Sequence, residues 1–134
     1  MTDQTNFGKV KEFHTAMETV RNSWPPSLEL FDFRADLIRE EFNELVAETY
    51  AADEWDKRTV PGNFVKHQIA KELADLLYVV YGTADAFGID IDRVFAEVHR
   101  SNMSKLVDGK PLKREDGKVL KGPNYKPPNL DFVV

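Results

Sequence analysis

Glu40, Glu41, Glu44 and Glu48 crowd into one stretch of sequence, and Glu72 and Asp75 repeat the i, i+3 interval 27 intervening residues after Glu44. On an α-helix, at about 100° per residue, Glu41, Glu44 and Glu48 fall within roughly 60° of one another, and Glu40 stands at the edge of the same sector. Acids kept only for solubility would oppose the apolar stripe. Here Leu37, Ile38 and Leu45 border the acidic sector. Around the second pair, Ile69, Leu73, Leu76 and Val80 read as a buried stripe, with Glu72 between Leu76 and Val79 and therefore close to the core. Like charges this near to one another and to apolar surface are costly unless they are protonated or share a cation. Two helices each offering carboxylates at i, i+3 present four oxygen ligands across a seam, the hard environment that suits magnesium, with manganese able to substitute.

Two other readings compete. A di-iron carboxylate bundle needs Glu-x-x-His on two helices, and none of His14, His67 or His99 has an acid three residues before it. Alternatively the acids pair with Arg34, Arg39, Lys66 and Lys71 on a solvated face, as most acidic helix faces do. One acidic helix alone would favour that second reading. Two helices with inward acids favour the metal.

Four helical segments position these residues. The first, about Thr5 to Arg21, spaces Phe7, Val10, His14, Met17 and Val20 helically, with Ser23-Trp24-Pro25-Pro26 as its stop. The second is predicted from about Asp32 to Ala52 and the third from about Asn63 to Phe87, with Gly88 ending it. The fourth is capped by Asp90 and reaches about Lys105. Beyond it, Asp108-Gly109, Asp116-Gly117 and Gly122-Pro123 mark turns, and 111–125 is predicted to form a short hairpin or a loop. The fold class is all-α, a four-to-five-helix bundle with an irregular C-terminal tail.

Length and composition agree with one domain, residues 1–134, with a helical core over about 5–106 and a basic tail over about 107–134. The absence of cysteine excludes disulfides, zinc-thiolate and iron-sulfur sites and thiol nucleophiles. No apolar run approaches the roughly 20 residues of a membrane span, and no signal-peptide core lies in the first 20 residues, so a cytoplasmic protein is expected. The net charge of −5 is uneven. Residues 1–98 carry 10 Lys and Arg against 19 Asp and Glu, whereas residues 99–126 carry 8 against 3. An acidic body repels a nucleic-acid duplex, and the tail lacks the aromatics of a single-strand platform, so no nucleic-acid partner is expected. A small polyanion held between metal ions and a basic segment fits better; the plainer alternative is a solvated tail.

Glu40-Glu41-x-x-Glu44 followed by Glu72-x-x-Asp75, the latter inside Lys71-Glu-Leu-Ala-Asp-Leu-Leu-Tyr78, resembles the signature of the all-α nucleoside triphosphate pyrophosphohydrolases, the superfamily of MazG, the dimeric dUTPases and phosphoribosyl-ATP pyrophosphohydrolase. The likeness extends through Gly88-Ile-Asp-Ile-Asp92 and Val98-His-Arg-Ser-Asn-Met-Ser-Lys105. It continues in the tail, from Asp108-Gly-Lys-Pro111 to Lys121-Gly-Pro-Asn-Tyr-Lys-Pro-Pro128. Both acidic halves together, in helical context, make the motif specific.

The resemblance implies that Glu41, Glu44, Glu72 and Asp75 bind magnesium and that Glu40 orients or deprotonates the attacking water. It implies release of pyrophosphate from a nucleotide, leaving the monophosphate, in an enzyme that clears surplus or noncanonical nucleotides. Phosphoribosyl-ATP, in histidine biosynthesis, is the alternative substrate, and a non-catalytic metal- or nucleotide-binding helical dimer is a second alternative. It further implies substrate contacts from Asn102, Lys105, His14 and Trp24. Lys121 and Tyr125, with Lys113 and Arg114, are placed to close over phosphates. Each has a plainer role: Lys105 as a cation on its own helix dipole, His14 as a hydrogen-bonded core histidine, Trp24 as a plug for the bundle end. Relatives assemble as homodimers or homotetramers, and Phe31, Phe42, Tyr78 and Tyr81 are expected at such an interface.

Overall fold

The computed structural model describes residues 4–55 and 62–133, so the sequence joining the second and third helices at 56–61 lies outside the described residues. Four α-helices and no strand are present among the described residues, an all-α fold. The chain divides into two compact units, Met1–Ile89 and Asp90–Val134. The fourth helix therefore groups with the tail.

In the first unit, α1 (Asn6–Ala16) begins at Thr5, whose side chain accepts a hydrogen bond from the Gly8 N–H at 3.0 Å. It ends five residues before the predicted Arg21. Glu18 takes a left-handed φ of 55°, and the Thr19 N–H returns to the His14 carbonyl at 2.9 Å, which closes the last turn. Phe7, Val10 and His14 are buried as expected, whereas Met17 and Val20, beyond that closure, are exposed.

Helix α2 (Leu28–Trp55) starts four residues before the predicted Asp32, because Ser27 Oγ accepts the Leu30 N–H at 3.1 Å and caps it. Helix α3 (Gly62–Ala86) ends where expected: Gly88 has φ 72°, and the Ile89 N–H bonds back to the Ala84 carbonyl at 2.8 Å.

Helices α2 and α3 pack antiparallel, and α1 lies on α3 through Phe7 against Tyr81 and Phe13 edge-on to Tyr78. Asp85 of α3 ties in the following loop: its carboxylate receives Arg21 and His14, and its carbonyl receives the Asn22 N–H. Among the described residues the buried apolar side chains are Phe7, Val10, Val65, Ala84 and Ala86. The predicted stripe on α3 is only partly buried. Ile69 and Leu76 are half-buried, but Leu73 is 47% and Val80 38% exposed, since the seam with α2 is taken up by Glu72 and by residues near Val79.

In the second unit, α4 (Ile91–Met103) is capped by Asp90, whose side chain accepts the Arg93 N–H. Two tight reversals follow, pairing Val107 with Lys110 and Lys113 with Val119, around Asp108-Gly109 and Asp116-Gly117. The chain then runs back along α4 in antiparallel sense. Ser101 Oγ donates to the Lys126 carbonyl at 2.8 Å, Arg100 to that of Pro127, and the Asn129 N–H donates to Glu97 at 2.9 Å; Arg93 lies 4.0 Å over the Phe132 ring. Arg100 and the Asn129 N–H hold the Glu97 carboxyl down to about 2.

Candidate functional site

Arg34 and Glu41 lie seven residues apart on α2, and Thr83 and Glu72 eleven apart on α3. Because the helices are antiparallel, one end of their seam joins Arg34 to Thr83 and Val79, and the other joins Glu41 and Glu44 to Glu72 and Asp75. One oxygen from each of these four acids lies within 4.8 Å of the other three. Helical spacing brings each pair to one face, and the antiparallel register brings the two faces together.

Glu72 is 7% exposed and Glu41 half-buried, and the Oε2 of each is buried without a hydrogen-bond partner. Burial and the neighbouring Glu44, Asp75 and Glu72 carboxylates push the Glu41 carboxyl above its usual range. Burial and the Glu44 carboxyl do the same to Glu72, against the opposing pull of Lys71. A buried acceptor with no donor is costly, and both of these oxygens belong to residues of the four-acid cluster. The all-oxygen donor set fits a hard divalent ion. Glu40 is exposed on the same helix, and neither it nor Glu48 belongs to the cluster of four.

The solvated-face alternative describes only the rim. Lys71 Nζ lies 2.7 Å from Asp75 Oδ2 and 3.7 Å from Glu72 Oε1, and Arg39 pairs with Asp36. Arg34 pairs with none of these acids. It is 4% exposed and donates to Thr83 Oγ1 at 3.2 Å and to the Val79 carbonyl at 3.1 Å.

His14 is the hydrogen-bonded core histidine of its plainer reading: 4% exposed, with Nδ1 2.8 Å from Asp85 Oδ2. Trp24 does not plug the bundle end; it is 71% exposed and rests edge-on against Phe87. In the second unit Asn102 is exposed, and the half-buried Lys105 receives the Gly122 N–H on its carbonyl at 3.2 Å. Lys121 Nζ lies 4.8 Å over the Tyr125 ring, and Arg114 is paired with Asp116.

Sequence reasoning missed Asp85, which is 2% exposed and bridges His14 and Arg21. Burial pushes its carboxyl up, but the hydrogen bonds from Arg21 and His14 outweigh that and bring it below the usual aspartate range. An acid set among Ala84 and Ala86 one turn after Gly82 was the available signal. Gly82 itself has a steric reason: a Cβ there would run into Arg34 Nη2 and come within 3.1 Å of His14 Nε2.

No helix among the described residues is long and apolar enough to cross a membrane. No curated protein matches the chain. The sequence model of phosphoribosyl-ATP pyrophosphohydrolase matches residues 10–102, a span that holds all four clustered acids. The chain thus belongs to the phosphoribosyl-ATP pyrophosphohydrolase family, within the MazG-like all-α pyrophosphohydrolase superfamily, and is a hydrolase of phosphoric anhydride bonds.

Proposed function

We propose that the protein is a magnesium-dependent nucleoside triphosphate pyrophosphohydrolase that releases pyrophosphate and leaves the monophosphate, removing surplus or noncanonical nucleotides. The observation that carries the metal is the pair of buried, donor-less oxygens, Glu41 Oε2 and Glu72 Oε2, inside a cluster of four acids. Glu41, Glu44, Glu72 and Asp75 would hold the ion, with manganese able to replace magnesium. When bound, it supplies positive charge for the phosphates and makes a nearby water more acidic. Glu40, solvated and outside the cluster, is free to orient that water and take its proton. A contact from His14 to the nucleotide rests on the resemblance alone, since the side chain is buried and its Nε2 faces Gly82, while the exposed Trp24 is available to stack on the base. Asn102, Lys105, Lys121 and Tyr125 serve as contacts to substrate oxygens, a role that rests on the resemblance of their sequence. The reading places the enzyme in the cytoplasm, with no nucleic-acid partner.

Phosphoribosyl-ATP is the second reading, favoured by the name of the matching family. The deciding experiment is pyrophosphate release from a panel of canonical and modified nucleoside triphosphates, with phosphoribosyl-ATP included, with magnesium and with chelator. Metal-dependent monophosphate from a triphosphate supports the first reading; turnover of phosphoribosyl-ATP alone supports the second. Silence on every substrate with no metal-induced thermal shift would leave a binding protein.

The active species is a homodimer or homotetramer on this reading. Leu73, Leu77 and Val80 form an i, i+4, i+7 stripe on α3 that is 47%, 52% and 38% exposed, and Phe31, Phe42 and Tyr78 are exposed as well. A cavity of about 170 Å³ lined by Val10, Leu77, Tyr78 and Tyr81 adjoins this stripe. Burying that surface against a second copy would take these apolar side chains out of water.

A further inference from the structure

Lys71 sits beside the acidic cluster without belonging to the set of acids that closes it. Its Nζ is 2.7 Å from Asp75 Oδ2 and 3.7 Å from Glu72 Oε1, and its side chain is 64% exposed. It is the i, i+4 neighbour of Asp75, so its short contact runs along the surface of α3, with a longer reach of 3.7 Å to Glu72 Oε1 at the edge of the seam. The consequence is an uneven neutralisation. One cation covers the outer acid of α3, while Glu41 Oε2 and Glu72 Oε2, deeper in the seam, have no donor at all. Lys71 therefore relieves the repulsion of the cluster without filling the place a cation would take.

A divalent ion changes what Asp75 must do. Magnesium holds its oxygens at about 2.0–2.1 Å from the ion, which sets two opposite ligands at most about 4.2 Å apart, and the four acid oxygens here lie within 4.8 Å of one another, so binding calls for a small contraction. Drawing Asp75 inward brings the ammonium it holds towards a doubly charged ion, and that repulsion acts on the one partner able to leave. Lysine suits such a role, being a compact charge on a flexible stem with rotatable donors, already mostly in water. An arginine fork on the same carboxylate would be harder to dislodge.

We propose that Lys71 is the placeholder cation of this site: it holds Asp75 while no metal is bound and is displaced when a divalent ion enters. The proposal rests on the reading of the cluster as a metal site.

The test uses the full chain, wild type and the variants Lys71→Met and Lys71→Gln, with magnesium as the probe. Amine acylation followed by mass spectrometry reads the freedom of Lys71, with Lys118 in the tail as internal reference. Displacement raises Lys71 labelling about threefold on saturation with magnesium, and either variant binds magnesium about fivefold more tightly by calorimetry, the scale of one partly exposed ion pair. The melting temperature of the variants falls without metal and equals that of wild type with it. Magnesium binding to wild type with unchanged Lys71 labelling overturns the placeholder and leaves the metal site standing. Equal or weaker magnesium binding by both variants does the same. No magnesium binding to wild type overturns both.

Discussion

Glu41 on α2 and Glu72 on α3 each turn one carboxylate oxygen, Oε2, into the protein interior where it meets no hydrogen-bond donor. Both carboxyls are driven above the ordinary glutamate range, first by burial and then by neighbouring acids. In the absence of a cation each is a cost to the fold, which makes the two residues informative targets.

Glu72→Gln removes one charge from the cluster and keeps its shape. The metal-free variant should melt no lower than wild type, because lost repulsion offsets lost hydration of the acid. Its magnesium-induced rise in melting temperature should vanish, since that rise follows from binding to the native state alone, and pyrophosphate release should fall by at least about 100-fold. Glu41→Gln should behave alike. Thermal melts with and without magnesium, alongside a turnover assay, check both; a variant that keeps its magnesium shift sinks the ligand assignment.

The raised carboxyls also set a pH dependence whose sign depends on metal. A carboxyl whose folded pKa lies above its unfolded value binds its proton more tightly in the native state, so the stability it contributes is present at low pH and lost as pH rises through the folded value. Without metal, Glu41 and Glu72 should make the protein more resistant to denaturant as pH falls from neutral toward the ordinary glutamate range. With saturating magnesium the same acids must stay ionised to hold the ion, and stability should fall over that interval. Urea melts from pH 7.5 down to pH 5, in magnesium and in chelator, distinguish the two slopes. Parallel slopes would remove the cluster from the account.

The four acids were legible because helical geometry converts an i, i+3 spacing into a shared face, and two such faces in one bundle have few ways to avoid each other. The same periodicity misplaced Leu73 and Val80. Period alone says which residues lie together on α3, and it is silent on whether this chain or another copy covers them. The ends of α1 and α2 were missed because they depend on particular hydrogen bonds, Thr19 to the His14 carbonyl and Leu30 to Ser27 Oγ, that apolar spacing does not report. Asp85 escaped for a related reason: its partners, His14 and Arg21, stand 71 and 64 residues earlier in the sequence.

Asp85→Ala should therefore destabilise the first unit. It leaves the buried His14 Nδ1 and the Arg21 guanidinium without their shared acceptor, while the main-chain bonds from the Asn22 and Ser23 N–H groups to the Asp85 and Ala86 carbonyls remain. Breaking a buried pair costs about 3 kcal/mol, with Arg21 keeping the value at the low end because part of its side chain stays in water. Urea unfolding measures it. A loss under about 1 kcal/mol would show that water replaces the carboxylate.

Leu77→Glu tests the assembly. Leu77 is 52% exposed at the middle of the Leu73, Leu77, Val80 stripe, so a carboxylate there is harmless to a lone chain and costly between two copies. Sedimentation should find wild type as a dimer or tetramer and the variant as a monomer. A monomeric wild type ends the oligomer reading.

Gly82→Ala isolates the other end of the seam. Gly82 has no unusual φ to protect, so the substitution is not a backbone test; helix propensity by itself favours alanine by about 1 kcal/mol. What opposes it is space. The new Cβ would collide with Arg34 Nη2 and stand 3.1 Å from both His14 Cε1 and Nε2, two side chains that are each 4% exposed. Arg34 cannot shift without giving up Thr83 Oγ1 and the Val79 carbonyl, leaving a guanidinium desolvated and short of acceptors. Overpacking of this kind costs about 1–3 kcal/mol, enough to outweigh the propensity gain, so the net change should be destabilising. Because Arg34 and Glu41 are two helical turns apart, about 10 Å by helical rise, magnesium binding should weaken little in comparison. A variant as stable as wild type would mean that Arg34 has a second resting place. Calorimetric titration of magnesium into the same sample separates damage to the seam from damage to the acids.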